Sequence, residues 1–301
     1  MDGIKKIWLD GKMIDAADAK FDALSHALHY GSGVFEGVRF YETADGPAIF
    51  RLEDHTKRLF YSASTIDLPI SFSEKEINDA TVETVAENKL SSGYIRPLAF
   101  FGEGKMGLRP AGARPRIFIA AWAWGKYLPD RPISVKISKF IRIHPKSLIA
   151  DAKVTGHYVN STLAASEAES LGYDEALLLD FAGNVAEGPG ENFFLVKNGE
   201  LHTPKKGTIL MGITRDTIFQ LAKDLGIKVV ERDLSRDEIF DADECFFTGT
   251  AAEVTPIGKI DDREIADGKT GKITECLKKR YFEIVTGKNQ KYQKWLTVVK
   301  K

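Results

Sequence analysis

Asp151-Ala152-Lys153-Val154-Thr155-Gly156-His157-Tyr158 and Val185-Ala186-Glu187-Gly188-Pro189-Gly190-Glu191-Asn192 bracket one segment of a 301-residue chain. Lys153 stands among small residues in a sparsely charged setting. Desolvation there would lower the pKa of the amine and free its lone pair for covalent chemistry. Glu187 stands beside a glycine on the way into an apolar strand, where a carboxylate is costly to bury without a cationic partner. Together the two suggest a Schiff-base lysine and a carboxylate that holds a pyridinium nitrogen, the contacts that pyridoxal phosphate needs most. Each also has an ordinary reading, as a surface lysine and a loop glutamate.

The sequence around this segment supports an α+β class. Asp10-Gly11 and Asp45-Gly46 separate strand-like runs in the manner of hairpin turns. A helix is expected from about Leu52 to Ser64, with Leu52, Leu59 and Ala63 on its apolar face. Ser73-Glu74-Lys75-Glu76 is a capping box, opening a helix to about Leu90. Strands are expected near Gly93 to Phe101 and Arg116 to Trp124. Lys126 to Pro132, with two prolines and three charges, reads as an interdomain connection.

Beyond it, Ile133, Val135 and Ile137 alternate with polar residues as in a half-buried strand. The helix after Lys153 places Ala164, Ala168 and Leu171 on one face and stops at Gly172. Strands follow at Glu175–Leu179 and from Asn192 to Val196. Ile218, Leu221, Ala222 and Leu225 mark a helix, Ser235 to Glu238 caps a short one, and a last helix runs from about Thr270 to Val285. Hairpins followed by helices, without regular βαβ alternation, argue against a doubly wound sheet. The expected organisation is a small α+β domain over residues 1–125, a linker over 126–132, and a larger α+β domain over 133–301 carrying Lys153.

Composition narrows the function classes. Hydrophobic residues make up 43% and charged residues 28%, as in ordinary globular proteins, and the net charge of −1 gives no electrostatic reason for a nucleic-acid or membrane partner. The run from Ile117 to Trp124 is too short to cross a bilayer. Met1 to Lys6 leads into strand-like sequence rather than an apolar leader. Cys245 and Cys276 form neither a disulfide framework nor a CxxC site, and read as reduced core residues of a cytoplasmic protein. His26 and His29 lie three apart without an acidic or sulfur partner nearby, so no metal site is expected.

Three places could receive a phosphate. Gly212-Ile213-Thr214-Arg215 precedes the helix of Ile218 and Leu221, with Thr214 as the expected N-cap. Gly249-Thr250-Ala251-Ala252 follows an apolar strand and permits close backbone approach. Arg58 lies at the border of the Leu52 helix face, where a guanidinium could fork onto phosphate oxygens. An ordinary cap, turn and salt bridge are the alternatives.

Several motifs in order carry a family resemblance across nearly the whole chain. They are His26 to Arg39 (HALHYGSGVFEGVR), Tyr94-Ile95-Arg96-Pro97-Leu98, the Lys153 segment, Glu187 to Asn192, Gly212 to Arg215 and Gly249 to Pro256. The chain resembles the class IV aminotransferases, the fold-type IV pyridoxal-phosphate enzymes with the two-domain D-amino-acid aminotransferase-like fold. It is most similar to their branched-chain-amino-acid members. The resemblance implies that Lys153 forms the Schiff base and shuttles the proton, that Glu187 pairs with the pyridine nitrogen, and that Tyr158 bonds the phenolic oxygen. Arg58, Ile213, Thr214 and Thr250 match phosphate-binding positions, and Leu210 the residue against the ring. Tyr30, Phe35, Gly37, Arg39, Tyr94, Arg96, Trp124 and Tyr127 match the substrate pocket, with Thr250 and Ala251 at the α-carboxylate. Thr155, His157, Pro189 and Met211 depart from the commonest family pattern, and bear on substrate preference rather than cofactor binding.

The implied activity is reversible amino transfer between L-leucine, L-isoleucine or L-valine and 2-oxoglutarate, giving branched-chain 2-oxo acids and L-glutamate. The implied scheme is ping-pong, in a homo-oligomer of at least two subunits. D-amino-acid aminotransferases and aminodeoxychorismate lyases share the lysine and glutamate, but the Tyr94 and Gly249 segments favour the branched-chain type. A non-catalytic cofactor-binding protein is the alternative from another class, and the imine-forming amine argues against it.

Overall fold

The computed structural model describes residues 4–300. Met1 to Gly3, where the leader reading begins, lie outside the described residues. The chain forms two compact units: residues 1–125 with 152–157 and 284–301, and residues 126–151 with 158–283. This differs from a single boundary at 126–132. The six residues around Lys153 belong with the first unit, and so does the C-terminal segment.

The first unit is built on strands β1 (Lys6–Leu9), β2 (Lys12–Asp15), β3 (Gly33–Phe35), β4 (Val38–Thr43), β5 (Gly46–Phe50), β6 (Gly93–Phe101) and β7 (Pro115–Trp122), with helices α1 (His26–Tyr30), α2 (Leu52–Ser64) and α3 (Glu74–Glu87). The sheet runs β5-β4-β6-β7-β1-β2, and β3 pairs β6. Its last strand is supplied by Leu296–Val298, which pairs with β5 in register Thr297↔Ile49 and explains why the C-terminus belongs here. Asp10 and Gly11 turn the β1–β2 hairpin with φ of 46° and 92°, the left-handed conformation that an Asp-Gly pair adopts readily.

The Ser73 capping box forms as expected, with the Glu76 amide donating to Ser73 Oγ and the Ser73 amide to Glu76 Oε2 at 2.8 Å. Helix α3 stops at Glu87 rather than near Leu90. Asn88 leaves the helix to bind the backbone of Lys5 and Lys6, and Lys89 turns left-handed at φ 54°. The core joins Phe40, Ile49, Leu59, Ile77, Ile95 and Ile119 with Ala152 and Val154 from the lysine segment.

The second unit holds β8 (Ile133–Ile137), α4 (Tyr158–Ser170), β9 (Glu175–Leu179), β10 (Val185–Glu187), β11 (Asn192–Lys197), β12 (Glu200–Pro204), α5 (Ile213–Asp224), β13 (Val229–Arg232), β14 (Glu244–Gly249), β15 (Glu253–Ile260) and β16 (Arg263–Glu264). Strand order is β10-β9-β8-β15-β14-β11-β12-β13, and β10 also pairs β11, so six strands close into a ring. Closure removes the edges that Glu187 and Asn192 would otherwise leave unpaired.

Two βαβ units stand within this mixed sheet: β8 and β9 are parallel and joined through α4, and β12 and β13 are parallel and joined through α5. Leu171 lies past the end of α4 and is 54% exposed, so only Ala164 and Ala168 of the expected stripe are core. The final helix, α6, is Lys272–Val285. Cys245 is buried, whereas Cys276 is only half-buried and not core.

Candidate active site

In the first unit, Lys153 lies beside β3. Its carbonyl accepts from the Phe35 amide at 3.1 Å, and its amide donates to Ser62 Oγ of α2 at 2.9 Å. Thr155, one of the departures from the family pattern, has a local task. Its hydroxyl donates to Gly31 O at 2.7 Å and accepts from the Gly33 amide at 3.1 Å. That contact requires Gly31, where a Cβ would lie 2.7 Å from Gly156 Cα. The lysine is thus held through its backbone from both sides.

The Lys153 ammonium lies 4.9 Å from the Phe35 ring centroid. Burial, followed by the nearby Arg58 guanidinium, lowers its pKa from 10.5 to about 8, while Glu36 opposes the shift. An amine with a pKa near 8 is neutral often enough at neutral pH to act as a nucleophile and a base.

Arg58 is not a solvated surface arginine. Its Nε and Nη2 meet the two oxygens of Glu36 at 2.6 and 2.9 Å, and His55 Nδ1 lies 2.7 Å from Glu36 Oε2. Burial would raise the Glu36 pKa, but Arg58 and His55 outweigh it and hold the carboxyl well below the usual carboxylate range. Burial lowers the pKa of His55 despite Glu36, favouring the neutral ring with Nδ1–H donating.

Several expected pocket residues gather in this unit. Arg96 lies over the rings of Phe35 and Tyr94 at 4.7 and 5.5 Å. Tyr94 meets Trp124 edge-to-face at 4.6 Å. Arg39 lies over Trp124 at 5.9 Å and donates to the Gly125 carbonyl. Gly37 must be glycine, since a Cβ there would fall 1.7 Å from Tyr94 Oη. Tyr30 is set differently: it packs on the His26 ring at 4.5 Å and is 43% exposed. His26 itself is held by Ser32 Oγ and Gly107 O at 2.6 and 2.7 Å.

In the second unit, Glu187 ends β10 and is buried. Arg142 Nε donates to its Oε1 at 2.5 Å and Asn192 Nδ2 to its Oε2 at 3.1 Å. The Leu210 amide reaches both oxygens, at 3.2 and 3.0 Å. Asn192 also donates to Leu210 O at 2.8 Å, so one carboxylate and one amide fasten the Leu210 segment. Gly212 is obligatory here, because its Cβ would lie 2.0 Å from Asn192 Oδ1.

Gly212, not Thr214, is the N-cap of α5, and it has no side-chain cap bond. Ile213 and Thr214 form the buried first turn, where helix N–H groups and the dipole favour an anion. Thr250 and Ala251 occupy the turn between β14 and β15, two residues past Thr248, which pairs with Asn192. Tyr158 opens α4. Tyr127 donates to Glu175 Oε2 at 3.3 Å, and it lines one small cavity together with Ala251, Glu253 and Lys278.

Sequence reading missed Glu36, His55 and Arg142. The signal of the first was an acid between Phe35 and Gly37 in the stretch Gly33 to Val38, which carries no other charge. Arg142 gave none, since it meets Glu187 across 45 residues.

The donor set suits pyridoxal phosphate. The first unit offers a half-buried amine, and the second, by itself, a buried carboxylate for a ring nitrogen and a helix N-terminus without a side-chain cap. Arg142 Nη1 and Thr248 Oγ1 are buried without a hydrogen-bond partner, so polar capacity remains beside the carboxylate.

The family model for class IV aminotransferases matches residues 33–260. The branched-chain-amino-acid aminotransferase of Pseudomonas aeruginosa is 50% identical over 303 residues, covering 99% of this chain and 98% of its own. That of Escherichia coli K12 is 42% identical over 97% of each chain. Among solved structures, the Escherichia coli branched-chain amino acid aminotransferase superposes with a TM-score of 0.96 at 42% identity, covering 99% of this chain and all of its own. A T.th. branched-chain amino acid aminotransferase complexed with N-(5'-phosphopyridoxyl)-L-glutamate gives 0.96 at 45% identity, covering 99% of both chains. The Thermoproteus uzoniensis enzyme with norvaline gives 0.96 at 43% identity, covering 99% of this chain and all of its own.

Proposed function

The chain belongs to the class IV aminotransferase family, and we infer that it is a branched-chain-amino-acid aminotransferase working with pyridoxal phosphate. It moves the amino group reversibly between L-leucine, L-isoleucine or L-valine and 2-oxoglutarate. The observation that carries this reading is Lys153, fixed through its backbone to Phe35 and Ser62 with its amine 4.9 Å from the Phe35 ring centroid.

When bound, pyridoxal phosphate supplies an aldehyde and an electron-withdrawing ring. Lys153 Nζ is the group that would hold the aldehyde and move the proton at the substrate Cα. Glu187, braced by Arg142, would hold the proton on the pyridine nitrogen, and Tyr158 would serve the phenolic oxygen. Arg58, Ile213, Thr214 and Thr250 receive the phosphate, and Leu210 supports the ring.

Phe35, Tyr94 and Trp124 give aromatic walls for a branched aliphatic side chain, while Arg96 offers a guanidinium to the distal carboxylate of glutamate. Gly37 leaves room beside Tyr94. Arg39, Tyr30 and Tyr127 complete the pocket, and Thr250 and Ala251 present donors to the α-carboxylate.

The reading extends to a cytoplasmic homo-oligomer of at least two subunits. No helix among the described residues is long and apolar enough to cross a membrane.

An amino-donor panel with 2-oxoglutarate tests the substrate. L-leucine, L-isoleucine and L-valine should each outpace D-alanine, and D-alanine as the better donor would overturn the reading. An active monomer in sedimentation would contradict the oligomer.

A further inference from the structure

Glu36 is fully buried, and none of the roles above uses it. A carboxylate in such a place is stable only with cationic and hydrogen-bonding partners. It has both. Arg58 meets its two oxygens as a fork, His55 meets Oε2, and the Gly37 amide donates to Oε2 at 3.3 Å. Arg58 and His55 stand three residues apart on α2, so both face the same side of that helix.

The fork fixes more than the charge. An arginine bonded through one nitrogen can still swing about that bond, whereas one bonded through Nε and Nη2 has its guanidinium plane set. Glu36 also lies between Phe35 and Gly37, the two residues assigned to the substrate side of the β3–β4 segment. Helix α2 carries Ser62, which receives the Lys153 amide. One carboxylate therefore joins the substrate segment to the helix that bears both the phosphate arginine and the support of the lysine.

We propose that Glu36 is a positioning residue: it sets the guanidinium of Arg58 for the cofactor's phosphate, with His55 Nδ1 holding the carboxylate in place. The proposal rests on the assignment of Arg58 to the phosphate.

The test compares apoenzyme affinity for pyridoxal phosphate with affinity for pyridoxal, which lacks the phosphate, by absorbance titration. Glu36→Gln keeps the size of the side chain but removes its charge and one acceptor oxygen. It should weaken pyridoxal phosphate binding about tenfold or more while changing pyridoxal binding less than about twofold. Arg58→Gln should show the same selective loss, at least as large.

A selective loss in Arg58→Gln with none in Glu36→Gln would overturn the positioning role and leave the phosphate assignment standing. No selective loss in Arg58→Gln would overturn both. An equal loss for the two ligands in Glu36→Gln would mark Glu36 as structural only, and so overturn the proposal. Should Glu36→Gln fail to fold, His55→Ala leaves the Glu36–Arg58 fork intact and should give a smaller loss, again selective for the phosphate form. Equal affinity changes for the two ligands there would overturn the proposal as well.

Discussion

Glu36 in the first unit and Glu187 in the second are both buried carboxylates, paired with an arginine at 2.6 and 2.5 Å respectively. Their geometry differs. Arg58 forks onto both oxygens of Glu36, whose remaining capacity goes to His55 and a backbone amide. Arg142 reaches only one oxygen of Glu187 through Nε, while Asn192 and the Leu210 amide share the rest. In the first pair the carboxylate orients the arginine; in the second the arginine braces one oxygen of the carboxylate. The same two residue types perform opposite tasks, and the partner that remains to meet the ligand decides which.

The largest expected effect lies outside either pair. Lys153→Ala should reduce transamination at least about a thousandfold, the scale of losing a positioned acid–base group, and abolish the visible band of the bound cofactor. Retained activity would remove the chemical purpose from both pairs.

Next is the Arg142–Glu187 pair. Arg142→Met leaves a buried carboxylate without its cation and should cost about 3–5 kcal/mol in urea unfolding. Adding Glu187→Gln should recover part of that loss. A single-variant cost below about 1 kcal/mol would mean that Arg142 does not brace the buried carboxylate, and the contrast between the pairs would fail.

A pH measurement sharpens the first unit. Lys153 titrates at about 8 when folded, against 10.5 for a free lysine, so the folded state resists its protonation. The resulting cost is fully present below about 8 and relieved as pH rises towards 10.5. Apoenzyme stability should therefore rise with pH through that window relative to Lys153→Met. Parallel stability curves would show that the amine is not desolvated.

The smallest effect on function belongs to Ser73→Ala, far along the chain from either pair. Losing the α3 cap should cost about 0.5–2 kcal/mol of stability and leave cofactor affinity unchanged. A change in affinity would show that the first unit transmits strain more widely than the Glu36 contacts imply.

Much of the local structure was legible in the sequence. Helix α2 and strand β6 occupy the expected residues, because apolar periodicity and turn residues are local signals. The capping box was equally plain. What stayed hidden was long-range. Nothing in Leu296–Val298 announces that it pairs with β5, and nothing in Arg142 points to Glu187. Spacing puts the α5 cap at Thr214, but the helix opens at Ile213 with Gly212 as the cap, which leaves Thr214 in the first turn. Roles set by spacing could be read, whereas the residues that orient them needed the fold.

The most direct test of the account asks which amine carries the cofactor. Holoenzyme reduced with borohydride, digested and analysed by peptide mass spectrometry should place a single phosphopyridoxyl group on the peptide containing Lys153. Modification of another lysine, or of none, would contradict the assignment of Lys153.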